Sequence, residues 1–181
     1  MKVLFTCLTF LFTLNVFSQT IVVVKDADLG ADTVSWTKDN VYHLDGYVIL
    51  ESGGLLNIEA GTVIKGLATP STGDISSALI IARGAKINAR GTADQPIIFT
   101  AEFDDVTDPS DLTKNDRGLW GGVLILGSGI VGVNTGLFNV EGIPSTEGRA
   151  EYGGTNNDDN SGVLKYVSIR HGGSKLEANN E

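Results

Sequence analysis

The sequence has 181 residues, a formal net charge of −9 and a single cysteine. One cysteine excludes an intramolecular disulfide framework, and the excess of acidic residues argues against nucleic acid or an anionic membrane surface as a partner. The 23 glycines beside only 4 prolines indicate many tight turns between short strands, and the length suits one β-rich domain.

The first 18 residues have the pattern of a secretory signal peptide. Lys2 supplies a positive start, an apolar run extends from Val3 to Val16, and Ser18 is the small residue at the expected cleavage point. A membrane anchor is the weaker alternative, because the run falls short of the roughly 20 residues that a spanning helix needs. We therefore expect residues 1–18 to be a signal peptide, and the mature chain to have no transmembrane segment and to be secreted or held at the cell surface.

A repeated pattern of short apolar runs begins near residue 56. Residues 56–64 and 79–87 carry Leu, Ile, Gly and Ile at the same places, 23 residues apart. Such a period predicts a β-solenoid, in which each coil pairs with the next one about 4.8 Å along the axis. We expect the apolar side chains of both copies to point inward and to stack in adjacent coils: Leu56, Ile58, Ile64, Leu79, Ile81 and Ile87.

Two later segments interrupt this rhythm. Residues 101–117 carry six acidic side chains and have almost nothing to bury, and residues 132–162 are mainly Gly, Asn, Asp and Ser. The predicted fold is therefore all-β, a right-handed parallel β-helix with two long loop insertions. A β-sandwich is the alternative, but Asp45-Gly46 is the only turn dipeptide of the type expected in its hairpins.

Five motifs stand out along the mature chain. They are Gly53–Gly66, Ala89–Thr100, Asp116–Val123, Tyr152–Thr155 and Asp158–Val167. In these motifs the sequence resembles a family of large secreted β-helix proteins of Bacteroidota, pectate-lyase-like solenoids that often carry a sorting domain for type IX secretion and mostly have no assigned activity. The sequence departs from that family because no sorting domain follows. We therefore expect residues 19–181 to be a single β-solenoid domain, truncated at its C-terminal end, in an N-terminal fragment of a longer protein.

One polar cluster is a candidate metal site. Asp158, Asp159 and Asn160 offer the hard oxygen ligands that calcium takes, although loop chemistry alone also favours these residue types. Calcium is the one cofactor that the residues indicate.

Arg170 is a candidate catalytic residue. The pectate-lyase-like enzymes that the sequence resembles use carboxylates to hold calcium against an acidic sugar, and a basic side chain to withdraw a proton from it. Asp158, Asp159 and Arg170 are the nearest set of those types. The alternative is that Arg170 and His171 close a strand and point to solvent.

Two tryptophans are candidate ligand-binding residues. Trp36 and Trp120 would stack on sugar rings if exposed, whereas the glycines around Trp120 favour its packing at a coil edge. We expect a secreted or cell-surface β-helix with a structural, adhesive or glycan-binding role, whose partner is an extracellular polysaccharide or a cell-surface component. The alternative is a calcium-dependent polysaccharide lyase or glycoside hydrolase.

Overall fold

The computed structural model describes residues 19–132 and 136–176. The predicted signal peptide, residues 1–18, lies outside these residues, as does the end of the predicted domain, residues 177–181. The described chain forms two short 3₁₀ helices, Asp26–Asp28 and Gly148–Ala150, and none of its helices is long and apolar enough to cross a membrane. All other regular structure in it is strand.

The strands are short. In chain order they are β1 (Thr20–Val24), β2 (Thr33–Trp36), β3 (Asn40–Leu44), β4 (Tyr47–Leu50), β5 (Leu55–Ile58), β6 (Val63–Gly66), β7 (Ala78–Ile81), β8 (Lys86–Arg90), β9 (Ile97–Ala101), β10 (Gly122–Ile125), β11 (Phe138–Asn139), β12 (Glu151–Tyr152), β13 (Gly162–Lys165) and β14 (Val167–Ile169).

Three parallel sheets form the body of the protein. Sheet A has the order β1-β3-β6-β9-β14, sheet B the order β4-β7-β10, and sheet C the order β2-β5-β8-β13. The chain visits A, B and C in turn, so three consecutive strands make one coil and every strand pairs with its equivalent in the next coil. In the first coil a single parallel bridge from Gly30 to Leu50 takes the place of a sheet B strand. The predicted parallel β-helix is confirmed.

The core runs through the centre of the coils as rows of apolar side chains. On sheet A, Tyr42, Ile64 and Phe99 are register partners in successive coils, and all three are buried. Strand side chains alternate between the two faces, so one residue in two along each strand enters these rows. The six predicted inward residues are all buried and belong to this core.

Their stacking partners differ from the prediction. Leu56 pairs with Ile87 rather than Leu79, and Leu79 pairs with Val48, because β5 lies in sheet C whereas β7 lies in sheet B. The physical reason is a third insertion, residues 67–77, which separates equivalent strands of these coils by 31 residues, as from Leu56 to Ile87. In both sheets the inward residues are a Leu and an Ile two positions apart, Leu56 and Ile58 on β5 and Leu79 and Ile81 on β7, so the 23-residue match joined strands of different sheets.

Two longer insertions leave the coils where the sequence predicts them. We call residues 102–121, between β9 and β10, the acidic insertion, and residues 126–161, between β10 and β13, the long insertion; the latter carries the antiparallel ribbon of β11 and β12. Both leave at corners between sheets, so the ladder continues beneath them without a break in register. β14 therefore still pairs with β9 although the two strands are far apart in sequence.

Inward burial gives the first prediction. Ile81 has no exposed surface and lies between sheets in the apolar core, so Ile81→Asp would bury a carboxylate without a partner and should abolish folding. Ile21 is the matched control, because its side chain is 60% exposed and Ile21→Asp meets water. We expect circular dichroism to show a β spectrum and a cooperative melt for the Ile21 variant only. A normal melt of the Ile81 variant would contradict the inward register.

Candidate functional site

A cavity of about 540 Å³ lies between the acidic insertion and the end of β14. We call it the insertion cleft. Its acidic lining consists of Asp104, Asp108, Asp111 and Asp116, and its basic lining consists of Lys114, Arg117, Arg170 and His171. The cleft thus brings together charged side chains of both signs from two segments that are more than fifty residues apart at Arg117 and Arg170.

Asp104 anchors the start of the acidic insertion. The sequence predicts that this segment buries almost nothing, but Asp104 is only 3% exposed. Its carboxylate accepts a hydrogen bond from the Thr100 hydroxyl at 2.5 Å and lies 3.7 Å from an Arg170 guanidinium nitrogen. The prediction of a segment without buried residues is corrected here, because a buried carboxylate with partners is stable in a place where an unpaired one is not.

Lys65 on β6 also binds the start of the acidic insertion. Its ammonium group donates hydrogen bonds to the Asp104 carbonyl at 2.7 Å and to the Glu102 carbonyl at 3.4 Å. Lys65 stands beside His43 on the outer face of sheet A. Partial burial lowers the pKa of His43, and the positive charge of Lys65 lowers it further. His43 thus favours its neutral form next to Lys65.

Trp120 anchors the other end of the insertion. Its side chain is fully buried, and its indole N–H donates to the Arg170 carbonyl at 2.7 Å. A Cβ atom on Gly66 would lie 2.7 Å from the Trp120 side chain, so only glycine leaves room for the ring at that point. Two backbone hydrogen bonds, from Gly118 to the Gly172 carbonyl and from Leu119 to the His171 carbonyl, join the same segments.

Aspartates between these anchors build the turns of the insertion. Asp105 and Asp108 each accept hydrogen bonds from the backbone and the hydroxyl of a residue two positions on, Thr107 and Ser110. These hydrogen bonds lower the pKa of both carboxyl groups, with the side-chain hydroxyl as the largest cause in each. Part of the acidity of the segment therefore serves its local conformation.

The positively charged side chains of the cleft are only partly paired with carboxylates. Arg170 uses its Nε to donate to the Ser168 hydroxyl at 3.0 Å and directs another nitrogen towards Asp104. In the part of the chain that the structure describes, neither Lys114 nor Arg117 forms an ion pair. Both are exposed, so their charges are available to a ligand in the cleft.

His171 has a constrained geometry at the edge of the cleft. Its φ of 57° lies in the left-handed region that residues with side chains seldom adopt. Its Nδ1 forms a hydrogen bond with the Asp116 carbonyl, and because a carbonyl oxygen only accepts, Nδ1 carries the proton. In the neutral ring, Nε2 then holds the lone pair, which makes it a hydrogen-bond acceptor or a proton acceptor.

The predicted calcium residues lie outside the insertion cleft, which Arg170 lines. Asp158, Asp159 and Asn160 lie in the long insertion, and none of them lines the insertion cleft. Asp159 accepts from the Ser128 N–H at 2.8 Å, and Asn160 accepts from the Gly162 N–H at 2.9 Å, so both stabilise turns. No group of three or more His, Cys, Asp or Glu side chains within residues 19–132 and 136–176 is arranged to hold a metal ion.

Both candidate tryptophans lie in the core. Trp36 is 4% exposed and stacks on Tyr42 with 4.9 Å between ring centroids, and Trp120 is fully buried. Stacking on a sugar depended on exposure, and neither ring has an exposed face. Both side chains have roles in packing. Trp36 of the first coil packs on Tyr42, and Trp120 joins the acidic insertion to the segment that carries Arg170.

Comparison with known proteins adds one finding. A family model described as a pectate-lyase-like β-helix domain matches residues 29–181. Searches of curated proteins and of solved structures found no match.

The Asp104 anchor gives the second prediction. Asp104→Ala would leave the buried Thr100 hydroxyl and the Arg170 guanidinium without their acceptor, and it should lower the free energy of unfolding by about 1–3 kcal/mol. Asp105→Ala is the control, because Asp105 is exposed and stabilises only a local turn. Urea titration of the two variants measures the difference. Equal stability of both would show that Asp104 does not anchor the insertion.

Proposed function

The chain belongs to the family of pectate-lyase-like β-helix domains, and from this premise we propose that it is an extracellular protein that binds a glycan in the insertion cleft. The observation that carries the proposal is the cleft itself, where the uncommitted cations Lys114 and Arg117 meet Arg170, His171 and several carboxylates. Ligand sites are usually preformed concave clefts in which a small number of polar groups fix the orientation of the ligand. A structural or adhesive role at the cell surface is compatible with this binding.

The extracellular location rests on the N-terminal sequence. Lys2, the apolar run Val3–Val16 and Ser18 support export by a cleavable signal peptide, and the resemblance to secreted proteins of Bacteroidota supports the same inference.

Export gives the third prediction. When the chain is expressed in a bacterium, the mature protein should begin at Gln19, because cleavage is expected after Ser18. Mass spectrometry of the N-terminal peptide from the exported fraction measures this. Replacing Leu8 and Leu11 by Arg should block cleavage by breaking the apolar run. Full-length protein with Met1 retained in the parent chain would contradict the proposal.

Glycan binding gives the fourth prediction. Arg117→Ala should weaken binding of the preferred polysaccharide by about tenfold, because a charge-assisted hydrogen bond contributes about 1.5–3 kcal/mol. Lys38→Ala is the control, since Lys38 is an exposed lysine outside the cleft, paired with Glu59. Binding to a panel of extracellular polysaccharides is measured first, and titration calorimetry with the best ligand follows. Equal affinities of the parent and the Arg117 variant would locate the binding elsewhere.

A second candidate function is polysaccharide lyase activity. The observation that favours it is that Arg170 and His171 lie side by side in the cleft, with Nδ1 of His171 held by a carbonyl. Arg170 as the base would take the proton from the carbon next to a uronate carboxylate, the electrons of that C–H bond would form a carbon–carbon double bond, and the bond to the glycosidic oxygen would break, with that oxygen taking a proton from water. We rank binding first, because Arg170 is already engaged by Asp104 and Ser168, and a guanidinium group resists deprotonation.

The two functions separate in one assay. A lyase would release unsaturated products from pectate or alginate, seen as ultraviolet absorbance, and the release should disappear in Arg170→Ala. Running the assay with and without calcium tests for a calcium requirement, and alanine variants of Asp158, Asp159 and Asn160 then test the predicted ligands. Binding without any product in either condition agrees with the first proposal.

A further inference from the structure

A small basic patch lies on the outer face of sheet C, where β13 leads into β14. We call it the corner patch and define it as Arg90, Lys165 and Tyr166. Arg90 and Lys165 are register partners on neighbouring strands, as are the residues before them, Leu164 and the buried, inward-pointing Ala89. Arg90 and Lys165 therefore both point outward, and both are exposed.

The patch places two positive charges side by side. Paired residues on neighbouring strands are about 4.8 Å apart at Cα, and like charges directly opposite each other destabilise a sheet. Neither cation forms an ion pair within the described parts of the chain. Glu59, which follows β5 in the same row, is already paired with Lys38 at 2.5 Å. An anion between Arg90 and Lys165 would remove this repulsion.

A ladder of amide side chains orients Arg90. The Arg90 Nε donates to the Asn88 side-chain oxygen at 3.0 Å, and the Asn88 amide nitrogen donates to the Asn57 side-chain oxygen at 3.0 Å. These bonds run across sheet C on its outer face and use Nε alone. The two terminal nitrogens of the guanidinium group remain for a ligand, in the forked geometry that suits an oxyanion.

Tyr166 adds an aromatic surface to the patch. It is the single residue between β13 and β14, with a φ of 50° that is rare for a residue with a large side chain. The residue is 53% exposed, and the Lys165 ammonium lies 5.5 Å from the centroid of its ring. Hydrogen bonds from Gly91 to the Lys165 carbonyl and from Ile97 to the Tyr166 carbonyl fix the corner. An exposed aromatic ring beside two cations is an amphipathic platform on which a sugar ring can pack.

We propose that the corner patch is a second binding site, separate from the insertion cleft, for a sugar unit that carries an oxyanion. The oxyanion, a carboxylate or a sulfate, binds between Arg90 and Lys165, and the sugar ring packs on Tyr166. None of the three residues lines the insertion cleft, so the two sites are independent.

The test is titration of the ¹⁵N-labelled protein with three oligosaccharides, followed by nuclear magnetic resonance. One carries carboxylates (oligogalacturonate), one carries sulfates (a sulfated galactose oligomer), and one is neutral (a galactose oligomer). We expect one or both of the charged sugars to shift the amide signals of Gly91, Lys165 and Tyr166, at least about tenfold more tightly than the neutral one. The arm that binds better identifies the oxyanion. Binding should weaken as salt is raised.

Three variants decide whether the patch is responsible. Arg90→Gln with Lys165→Gln should lose at least about tenfold in affinity, and Tyr166→Asn should weaken sugar binding while keeping the response to inorganic sulfate. Lys86→Gln is the matched control, because Lys86 lies on the same strand and face as Arg90 but opposite Leu55 rather than a cation. It should bind like the parent.

Four outcomes would overturn the proposal. They are equal affinity of the double glutamine variant and the parent, equal binding of neutral and charged sugars, signal shifts confined to the cleft residues, and binding of an oligonucleotide but of none of the sugars. The fourth prediction on Arg117 concerns the cleft alone, so failure of either site leaves the other intact.

Discussion

In-register pairing between successive coils is the constraint on which this protein depends. Each strand of sheets A, B and C must offer its backbone to the next coil and its inward side chains to the row below, as Tyr42, Ile64 and Phe99 do. A change of length within a strand would turn its apolar residues outward. The chain therefore gains residues at the corners, as in the insertions at 67–77, 102–121 and 126–161. Extra residues in this fold therefore lie at the corners between sheets, and the candidate sites lie there too.

The same constraint explains how a long surface segment becomes a defined cleft. The acidic insertion is anchored near its start by Asp104, which is hydrogen-bonded to Thr100 on β9, and near its end by Trp120, which fills the space over Gly66 on β6. Both anchors use strands whose positions the coils already determine. Arg170 and His171 follow β14, which is paired with β9, so the two walls of the cleft rest on adjacent strands. A polar site with this support needs little reorganisation to receive a ligand.

The sequence predicts the strands and their buried residues better than it predicts the pairing of the strands or the candidate site. Short apolar runs are a local signal, so the burial of Leu56, Ile81 and their equivalents followed from them directly, and both long insertions were visible as gaps between such runs. The pairing between strands is not a local property. Leu56 pairs with Ile87 because residues 67–77 lengthen the chain between them, and a short stretch of sequence around either residue does not show this.

The candidate site was predicted only in part, for a related reason. Arg170 was identified by residue type, but its neighbours Lys114, Arg117 and Asp104 belong to a segment that reads as a solvated acidic loop. The burial of Asp104 cannot be recognised from composition, because an aspartate that binds Thr100 and an aspartate that faces water are the same residue type in the sequence. Glycines near Trp120 in the sequence were the useful signal for its packing, but the room for its ring comes from Gly66 on another strand, where a Cβ atom would lie 2.7 Å from the Trp120 side chain.

The distribution of charge follows from the same architecture. Corner segments without apolar cores need local hydrogen bonds to hold their shape, and short acidic side chains supply them, as Asp105, Asp108 and Asp159 do. Many of the negative charges are thereby committed to turns. The cations are fewer, yet Lys114, Arg117, Arg90 and Lys165 are left without carboxylate partners among the described residues. The candidate sites of this acidic protein are therefore small positive areas on a negative surface, where an anionic ligand would be attracted by cations that no carboxylate neutralises.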